Sequence, residues 1–340
     1  MKKWILIGLL AGGVLLFWYG YRLVFGANVM TPEGKAVEFT IATGSDYEIV
    51  GEKLKTAGLI TDVRGFNQVA RLMNYHRNIK PGRYMIDHGM SNRELITLLR
   101  SGNQSPVKFT FVKFRTKEQL AAYTATKLEM SEKDFLAVLN DREFLKKHNG
   151  LTPETAMTIF IPNTYEVWWT EKPEAFFNRM FKEYKRFWND ERNAKRQKWG
   201  LSRLEVMTVA SIVEEETNKN DEKNTVAGVY LNRVRKKWPL EADPTVKYAV
   251  GDFTLKRILK SHLETDSPYN TYLYPGIPPG PICTPSIPSI EAVLNGEKHG
   301  YMFFCARADG SGYHHFSKTL AEHNAYAREY HRMLNEAGIR

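Results

Sequence analysis

The hydrophobic and polar positions divide this chain into an apolar start, a small mixed segment and a long helical segment. Residues 4–21 carry no charge; Lys2 and Lys3 precede this run and Arg22 follows it. An uncharged run of this length predicts a membrane-spanning helix, and the lysines place its start in the cytoplasm. A cleaved signal peptide is the alternative, although its apolar core usually spans only about 7–15 residues.

The mixed segment that follows predicts a small α+β module. Residues 38–41 and 82–86 are typical of strands, whereas residues 46–58, 64–75 and 91–100 have apolar positions at helical spacing. The polar residues of this segment are scattered and form no catalytic pattern. A binding or spacing role is therefore predicted for the module.

The remainder of the chain is predicted to be mainly helical with a small sheet. A dense aromatic loop at residues 159–169 could be a packed hinge or part of a wall that binds sugar rings. The predicted strands are 107–111, 301–305 and 313–316, and the predicted helices include 142–148, 174–198, 225–235 and 319–337.

An apolar helix pattern at residues 204–217 ends in Glu214, Glu215 and Glu216. At about 100° per residue, Glu215 points away from the apolar face and is predicted to be solvated, whereas Glu216 lies on the side of Ile212. Exclusion of water raises the pKa of a carboxyl group, which lets it act as a general acid near neutral pH. The pattern alone does not exclude Glu214 from this role. A solvated acidic helix end is the alternative, although the helix dipole disfavours acids there.

Three later loops are rich in proline, asparagine, tyrosine and threonine, at residues 243–248, 267–272 and 276–282. Such a composition predicts rigid turns rather than a flexible linker, and rigid polar loops suit a saccharide groove. Asp243 is predicted to cap the helix that follows it.

Composition and charge restrict the possible partners. The 340 residues are 43% hydrophobic, which is enough for two or more domains with real cores, and the formal net charge is +10. This charge favours nucleic acid, an anionic membrane surface or an acidic polymer. Because a membrane helix or a signal peptide places the chain outside the cytoplasm, nucleic acid is not expected.

Cysteine and histidine positions give no metal signature. Cys283 and Cys305 cannot be assigned as a bridge or as free thiols from sequence. His314, His315 and His323 lack a familiar ligand spacing, so a structural or surface role is favoured. No metal or other cofactor is expected.

Several ordered motifs carry a resemblance to a known family. They are Pro-Gly-Arg-Tyr at 81–84, Phe-x-Pro-x-Thr-Tyr at 160–165, Ala-Ser-Ile-Val-Glu-x-Glu-Thr at 210–217, Asp-Pro-Thr-Val at 243–246, Tyr-Asn-Thr-Tyr at 269–272, Gly-x-Pro-Pro-Gly-Pro-Ile at 276–282, His-x-Phe at 314–316 and His-Asn at 323–324. Together with the apolar N-terminus, they make nearly the whole chain resemble the endolytic murein transglycosylases of bacterial cell walls.

The resemblance implies a single-pass protein of the inner (cytoplasmic) membrane with an α+β fold and its catalytic domain on the extracytoplasmic side. The implied segments are a membrane anchor at 1–26, a linker at 27–38, a LysM-like module at 39–105 and a mainly helical catalytic domain at 106–340. The family's catalytic glutamate falls on Glu216.

The implied reaction cleaves the β-1,4 bond between N-acetylmuramic acid and N-acetylglucosamine without water. A hydrolase needs two carboxyl groups, but here the C6 hydroxyl of the muramic acid attacks its own anomeric carbon, and such intramolecular attack has an effective molarity up to about 10⁵ M or more. Glu216 would protonate the leaving oxygen and then accept the hydroxyl proton. Substrate positioning is predicted for Asp243, Thr245, Asn270 and Tyr272.

Two alternatives to this function remain open. A hydrolytic muramidase would need a second carboxyl group near Glu216, such as Glu214 or Asp243. A non-catalytic, membrane-anchored peptidoglycan scaffold would act through the LysM-like module. The expected partners are peptidoglycan glycan strands, the membrane and, by resemblance, the synthases that make nascent glycan. The endolytic position of the cut likewise follows from the resemblance.

Overall fold

A computed structural model describes residues 2–336. Its helices are α1 (Lys2–Phe25), α2 (Tyr47–Thr56), α3 (Val63–Leu72), α4 (Asn92–Ser101), α5 (Lys117–Lys127), α6 (Glu132–Asn140), α7 (Arg142–Lys146), α8 (Pro173–Phe187), α9 (Asp190–Lys198), α10 (Arg203–Glu216), α11 (Lys223–Arg235), α12 (Asp243–Val250), α13 (Lys260–Leu263), α14 (Ile287–Asn295) and α15 (Leu320–Glu336). Its strands are β1 (Val37–Ile41), β2 (Gly82–Ile86), β3 (Val107–Thr110), β4 (Thr164–Val167), β5 (Phe303–Ala306) and β6 (His314–Ser317). They form three two-stranded sheets, β1–β2, β3–β4 and β5–β6.

The chain divides into two compact units. The first unit comprises Met1–Phe109, Thr126–Met130 and Tyr165–Lys172, and the second comprises Thr110–Ala125, Ser131–Thr164 and Pro173–Arg340. The mixed, helix-rich architecture with small sheets confirms the predicted α+β class.

The N-terminal helix α1 has the length and composition of a membrane span. Its stretch Lys3–Phe25 contains an 18-residue window with a mean hydropathy of 1.7, and no residue of that window is buried within the protein. The predicted apolar helix is therefore confirmed as a helix long enough to cross a membrane. The side on which the rest of the chain lies stays a prediction.

The first unit follows the predicted order of strands and helices. Strands β1 and β2 pair antiparallel, with Val37 opposite Ile86, and α2, α3 and α4 contribute to a core shared with both strands. Asp46 is the N-cap of α2, and its carboxylate accepts from the Ile49 amide at 2.8 Å. Gly102 is the C-cap of α4, and its φ of 74° suits glycine. The LysM-like character of this module stays a prediction.

The start of the predicted linker is packed into the first unit. Val29 is 1% exposed and belongs to the same core. The Asn28 side chain donates to Asn92 at 2.7 Å, and Asn92 in turn donates to the Leu23 carbonyl oxygen of α1 at 2.9 Å. Buried amides satisfied in this way join the end of α1 to α4.

Helix α10 is central to the second unit. Ser202 and Glu205 form a capping box at its start, and every residue from 206 to 213 is buried. Helices α9, α11, α12 and α14 contact it. A helix that is buried around its whole circumference is only weakly amphipathic. The apolar run at residues 204–213 therefore predicted a helix but did not show which elements surround it.

One predicted helix proved to be two. Residues 174–198 were expected to form one long helix, but α8 ends at Phe187 and α9 begins at Asp190. The Asn189 side chain accepts from the Arg192 amide at 2.9 Å. Because asparagine is a strong N-cap, it starts a new helix here.

The aromatic loop at residues 159–169 contributes to the core. Phe160 is fully buried, and its ring lies 5.7 Å from Phe111 and 5.9 Å from Phe177 between centroids. Of the two alternatives for this loop, packing is therefore confirmed for Phe160. Trp168, farther along the loop, is exposed.

The C-terminal elements match the predicted strands and closing helix within a few residues. Strands β5 and β6 pair antiparallel, and α15 packs against both strands. Residue 337, the predicted end of the last helix, lies outside the described residues. Cys283 is buried, Cys305 is partly buried, and both thiols are free.

Candidate active site

Glu214 is held in a buried ionic cluster. Its Oε2 accepts from Lys223 Nζ at 2.9 Å and from the Ser286 and Ser289 hydroxyls at 2.5 Å each. Burial acts to raise the pKa of Glu214, but these hydrogen bonds and the Lys223 charge outweigh it and hold the pKa below its ordinary value. Glu214 is therefore an ionised group that joins α10 to α11 and the start of α14, rather than a proton donor.

Glu215 is not solvated, and this prediction was wrong. Its side chain is 11% exposed, and it accepts from Arg115 Nη2 at 2.8 Å and from Lys113 Nζ at 3.0 Å. Burial acts to raise the pKa of Glu215, but hydrogen bonds and charges from Arg115 and Lys113 lower it. Helix periodicity showed which way Glu215 points, but could not show that residues 113–115 cover that side.

Glu216 has a different environment from its two neighbours. It is partly buried, and its Oε1 accepts a hydrogen bond from the Tyr230 hydroxyl. Burial raises its pKa to about 8; the Tyr230 hydrogen bond opposes this rise, and the charge of Asp243 adds to it. Among residues 2–336, no lysine or arginine forms an ion pair with it. Glu216 therefore keeps its proton at neutral pH, as the helix pattern predicted.

Tyr230 is a site residue that sequence reasoning missed. It lies within the predicted helix 225–235, in the stretch of α11 from Val226 to Arg233 that is buried throughout, and it was not among the predicted site residues. A buried tyrosine hydroxyl usually finds a hydrogen-bond partner, so a tyrosine at an otherwise apolar helix position was the available signal. The identity of its partner required the three-dimensional structure.

Asp243 and Tyr272 form a second polar pair. The Tyr272 hydroxyl donates to Asp243 Oδ1 at 2.7 Å. Asp243 does not cap α12 as predicted: the N-cap is Ala242 and has no side-chain cap bond, and Asp243 is the first helical residue. Since the Asp243 charge helps to raise the pKa of Glu216, the structure brings two acidic side chains close enough to interact electrostatically.

Thr245 and Asn270, also predicted to contact substrate, are fully buried. The Thr245 hydroxyl donates to the Ala242 carbonyl oxygen at 2.7 Å. The Asn270 amide donates to the carbonyl oxygens of Leu263 and Thr265 at 2.9 Å each. Both side chains donate to backbone carbonyl oxygens of the protein, which is typical of buried residues that hold loops in position.

In this arrangement burial favours the protonated form of one carboxyl group, Glu216, beside a second acid, Asp243. The chain belongs to the YceG-like family, whose sequence model matches residues 39–329. The resemblance found in the motifs is thereby confirmed.

Relatives of known name cover most of the chain. An endolytic murein transglycosylase of Bacillus subtilis (strain 168) is 29% identical over 93% of this chain and 92% of that protein. One of Streptococcus pneumoniae serotype 2 is 26% identical over 87% of this chain but only 58% of its own length. A crystal structure of a yceG-like protein from Listeria monocytogenes is also similar, with a TM-score of 0.56 and 28% identity over 86% of this chain and 99% of that chain.

Proposed function

We propose that this protein is a lytic transglycosylase, a lyase that cleaves peptidoglycan glycan strands and leaves 1,6-anhydro-muramic ends. The observation that carries the proposal is the carboxyl group of Glu216, which is partly buried, accepts a hydrogen bond from Tyr230 and has a pKa raised by burial. The names of the similar Bacillus and Streptococcus proteins support the same reaction class.

The reaction balances with a single catalytic acid. Glu216 donates its proton to the glycosidic oxygen as the bond from that oxygen to the anomeric carbon breaks. The C6 hydroxyl oxygen of the muramic acid then bonds to the anomeric carbon, and its proton passes to the Glu216 carboxylate. Glu216 is thus returned to its protonated form, and no water is consumed.

Tyr230 is suited to hold Glu216 through this cycle. Its hydroxyl donates to Oε1, which fixes the orientation of the carboxyl group. A hydrogen bond to a charged group is stronger than one to a neutral group, so the bond strengthens when Glu216 gives up its proton. Tyr230 therefore favours the ionised state that must form during the reaction.

A hydrolytic muramidase is the second candidate, because Asp243 supplies another carboxyl group near Glu216. Glu214 and Glu215 are poor candidates for that second group, since Lys223 and Arg115 already bind them. The two reactions differ in their products: hydrolysis leaves a reducing muramic end, whereas the transglycosylase leaves an anhydro ring.

We further propose that α1 anchors the protein in the cytoplasmic membrane with both units on the extracytoplasmic side. Its apolar length supports the anchor. Such an anchor restricts the enzyme to glycan near the membrane, which favours cleavage within nascent strands and proximity to the synthases that make them. The first unit would bind glycan as a LysM-like module.

Product analysis tests the reaction. The full chain in detergent micelles is incubated with purified glycan strands, and products are identified by mass spectrometry. The parent is expected to form anhydro ends, and Glu216→Gln is expected to reduce their yield at least 100-fold, the lower range for loss of general acid catalysis being about 10². Glu205→Gln, the same change at the other end of α10, should retain activity, because glutamine also completes a capping box.

Each other outcome has a distinct meaning. Reducing ends from the parent protein would show a hydrolase and would direct attention to Asp243. Anhydro ends that persist in Glu216→Gln would remove Glu216 from the reaction. Absence of any product, with glycan still bound, would favour the non-catalytic scaffold.

A further inference from the structure

The two faces of the β5–β6 hairpin differ in which aromatic side chains they carry and in how far these are covered. Residues opposite each other in an antiparallel pair point to the same face, and the register pairs Phe304 with Phe316 and Ala306 with His314. We call this the inner face; it carries two phenyl rings and one imidazole.

The opposite, outer face of the hairpin is covered by α15. The His315 ring stacks on Tyr326 with centroids 4.2 Å apart, and the Phe303 ring stacks on His323 at 5.4 Å. Since α15 packs against both strands, the aromatic residues of the outer face have packing partners within the protein.

The inner face is less enclosed. Phe304 and Phe316 are both partly exposed, although their rings lie side by side with centroids 6.1 Å apart. The Tyr301 ring extends the cluster and lies 5.8 Å from Phe316. The three rings are tilted to one another, with interplanar angles of 38° and 42°, so together they present an angled apolar surface that is partly open to solvent.

This surface is connected to Glu216 by one side chain. The Phe304 ring meets the Tyr230 ring edge-on, with centroids 5.8 Å apart and an interplanar angle of 87°. The Tyr230 hydroxyl is the donor to Glu216. The inner face therefore begins next to the residue that holds the acid.

A second connection runs through the residue after the acid. The Thr217 hydroxyl lies 3.4 Å from Glu222 Oε2, and the same oxygen lies 3.1 Å from His314 Nδ1. Glu222 also accepts from the His314 backbone amide at 2.8 Å. The chain segment that leaves Glu216 is thus joined to the inner face.

Glu222 leaves one nitrogen of His314 available. Its carboxylate fixes the ring through Nδ1, and the Nε2 atom has no hydrogen-bond partner within residues 2–336. That atom is not among the side-chain atoms sealed from solvent without a partner. A buried imidazole with one exposed nitrogen therefore lies beside the two phenyl rings, 5.3 Å from Phe304 between centroids.

We propose that the inner face is a sugar-binding subsite for an N-acetylated sugar ring next to the bond cleaved at Glu216. Phe304 and Phe316 would stack on the apolar side of the ring, and His314 Nε2 would hydrogen-bond to a hydroxyl or acetamido group. The identity of the ligand rests on the proposed function.

Glycan binding tests the subsite separately from catalysis. Purified glycan strands are immobilised, and binding of the full chain in detergent micelles is measured in a Glu216→Gln background, so that no cleavage occurs. Phe316→Leu is expected to weaken binding about 3- to 10-fold, from the usual contribution of an aromatic contact. Phe303→Leu is the matched change on the outer face and should leave binding unchanged.

His314→Asn tests the polar contact, because asparagine can still donate to Glu222 but lacks Nε2. It should weaken binding several-fold, whereas His315→Asn on the outer face should not. Phe316→Tyr keeps an aromatic ring and should bind glycan as the parent does. This control separates the loss of stacking in Phe316→Leu from misfolding caused by any change at this position.

Unchanged binding in Phe316→Leu and His314→Asn would overturn the proposal, as would equal losses in the inner-face and outer-face variants. Failure of the proposed reaction is recognised separately, because product chemistry does not enter this assay. A protein that forms reducing ends but shows the predicted binding pattern would keep the subsite and lose the transglycosylase assignment.

Discussion

Replacement of Glu216 by glutamine is expected to change how the stability of the protein depends on pH. In the folded protein the carboxyl pKa is about 8, compared with an ordinary value of 4.5. Between these values the unfolded chain releases the proton while the folded chain retains it. The free energy of unfolding therefore falls as pH rises, by up to about 1.4 kcal/mol per pH unit.

Glutamine cannot ionise, so the free energy of unfolding of Glu216→Gln should not show this fall with rising pH. The stability difference between the variant and the parent should be constant below pH 4.5, should increase in favour of the variant from pH 4.5 to about 8, and should then level off. About 1 kcal/mol changes the melting temperature by roughly 2–4 °C for a unit of 150–250 residues. From pH 4.5 to about 8 the change amounts to about 5 kcal/mol, so the difference in melting temperature should change by roughly 10–20 °C between acidic and alkaline buffers.

Thermal unfolding of the full chain in micelles measures this difference across the pH range. Glu329→Gln, which changes an exposed side chain of α15, is the control and should show no such increase. A Glu216→Gln difference that stays constant with pH would refute the reasoning, because the carboxyl group would then titrate alike in both states.

Two further predictions concern the neighbours of the acid. Tyr230→Phe removes the hydrogen bond that lowers the Glu216 pKa, so the alkaline limb of the pH–rate profile should move to higher pH and the rate should fall about 10- to 100-fold, as expected for a hydrogen bond to a charged group. Lys223→Met removes the cation that pairs with buried Glu214 and should destabilise the protein by about 3–5 kcal/mol in thermal unfolding, with partial recovery when Glu214→Gln is added.

Contrary results would be informative in each case. An unshifted alkaline limb in Tyr230→Phe would mean that the hydrogen bond does not control ionisation of Glu216. A Lys223→Met variant as stable as the parent would mean that the buried cluster contributes nothing to the packing of α14 on α10.

Local patterns predicted the elements well because their signals lie in adjacent residues. Asp46 and Ser91 cap helices as their positions suggest. The face of Glu216 followed from helix periodicity, and so did the raised pKa of its carboxyl group. These features depend on a few neighbouring residues.

Features that depend on distant partners were missed. The fate of Glu215 depends on Arg115, which lies 100 positions away, and the role of Tyr230 depends on its approach to Glu216. Asn189 was the exception, since its capping signal was local but was obscured by the charged, aromatic pattern on both sides. Prediction from one sequence therefore identified the carboxyl group whose pKa is raised, but not the residues that surround it.

The packed junction between α1 and the first unit affects what the protein can reach. Asn28 and Asn92 tie the end of α1 to α4, and Val29 lies in the core immediately afterwards. If α1 crosses a membrane, this packing would hold the first unit at a fixed distance from the membrane surface, because within the described residues no flexible linker separates the two. The length of α1 would then set the distance between the membrane and the first unit, and so the layer of wall material that this unit meets. Inserting residues at 32–36 would not increase that distance.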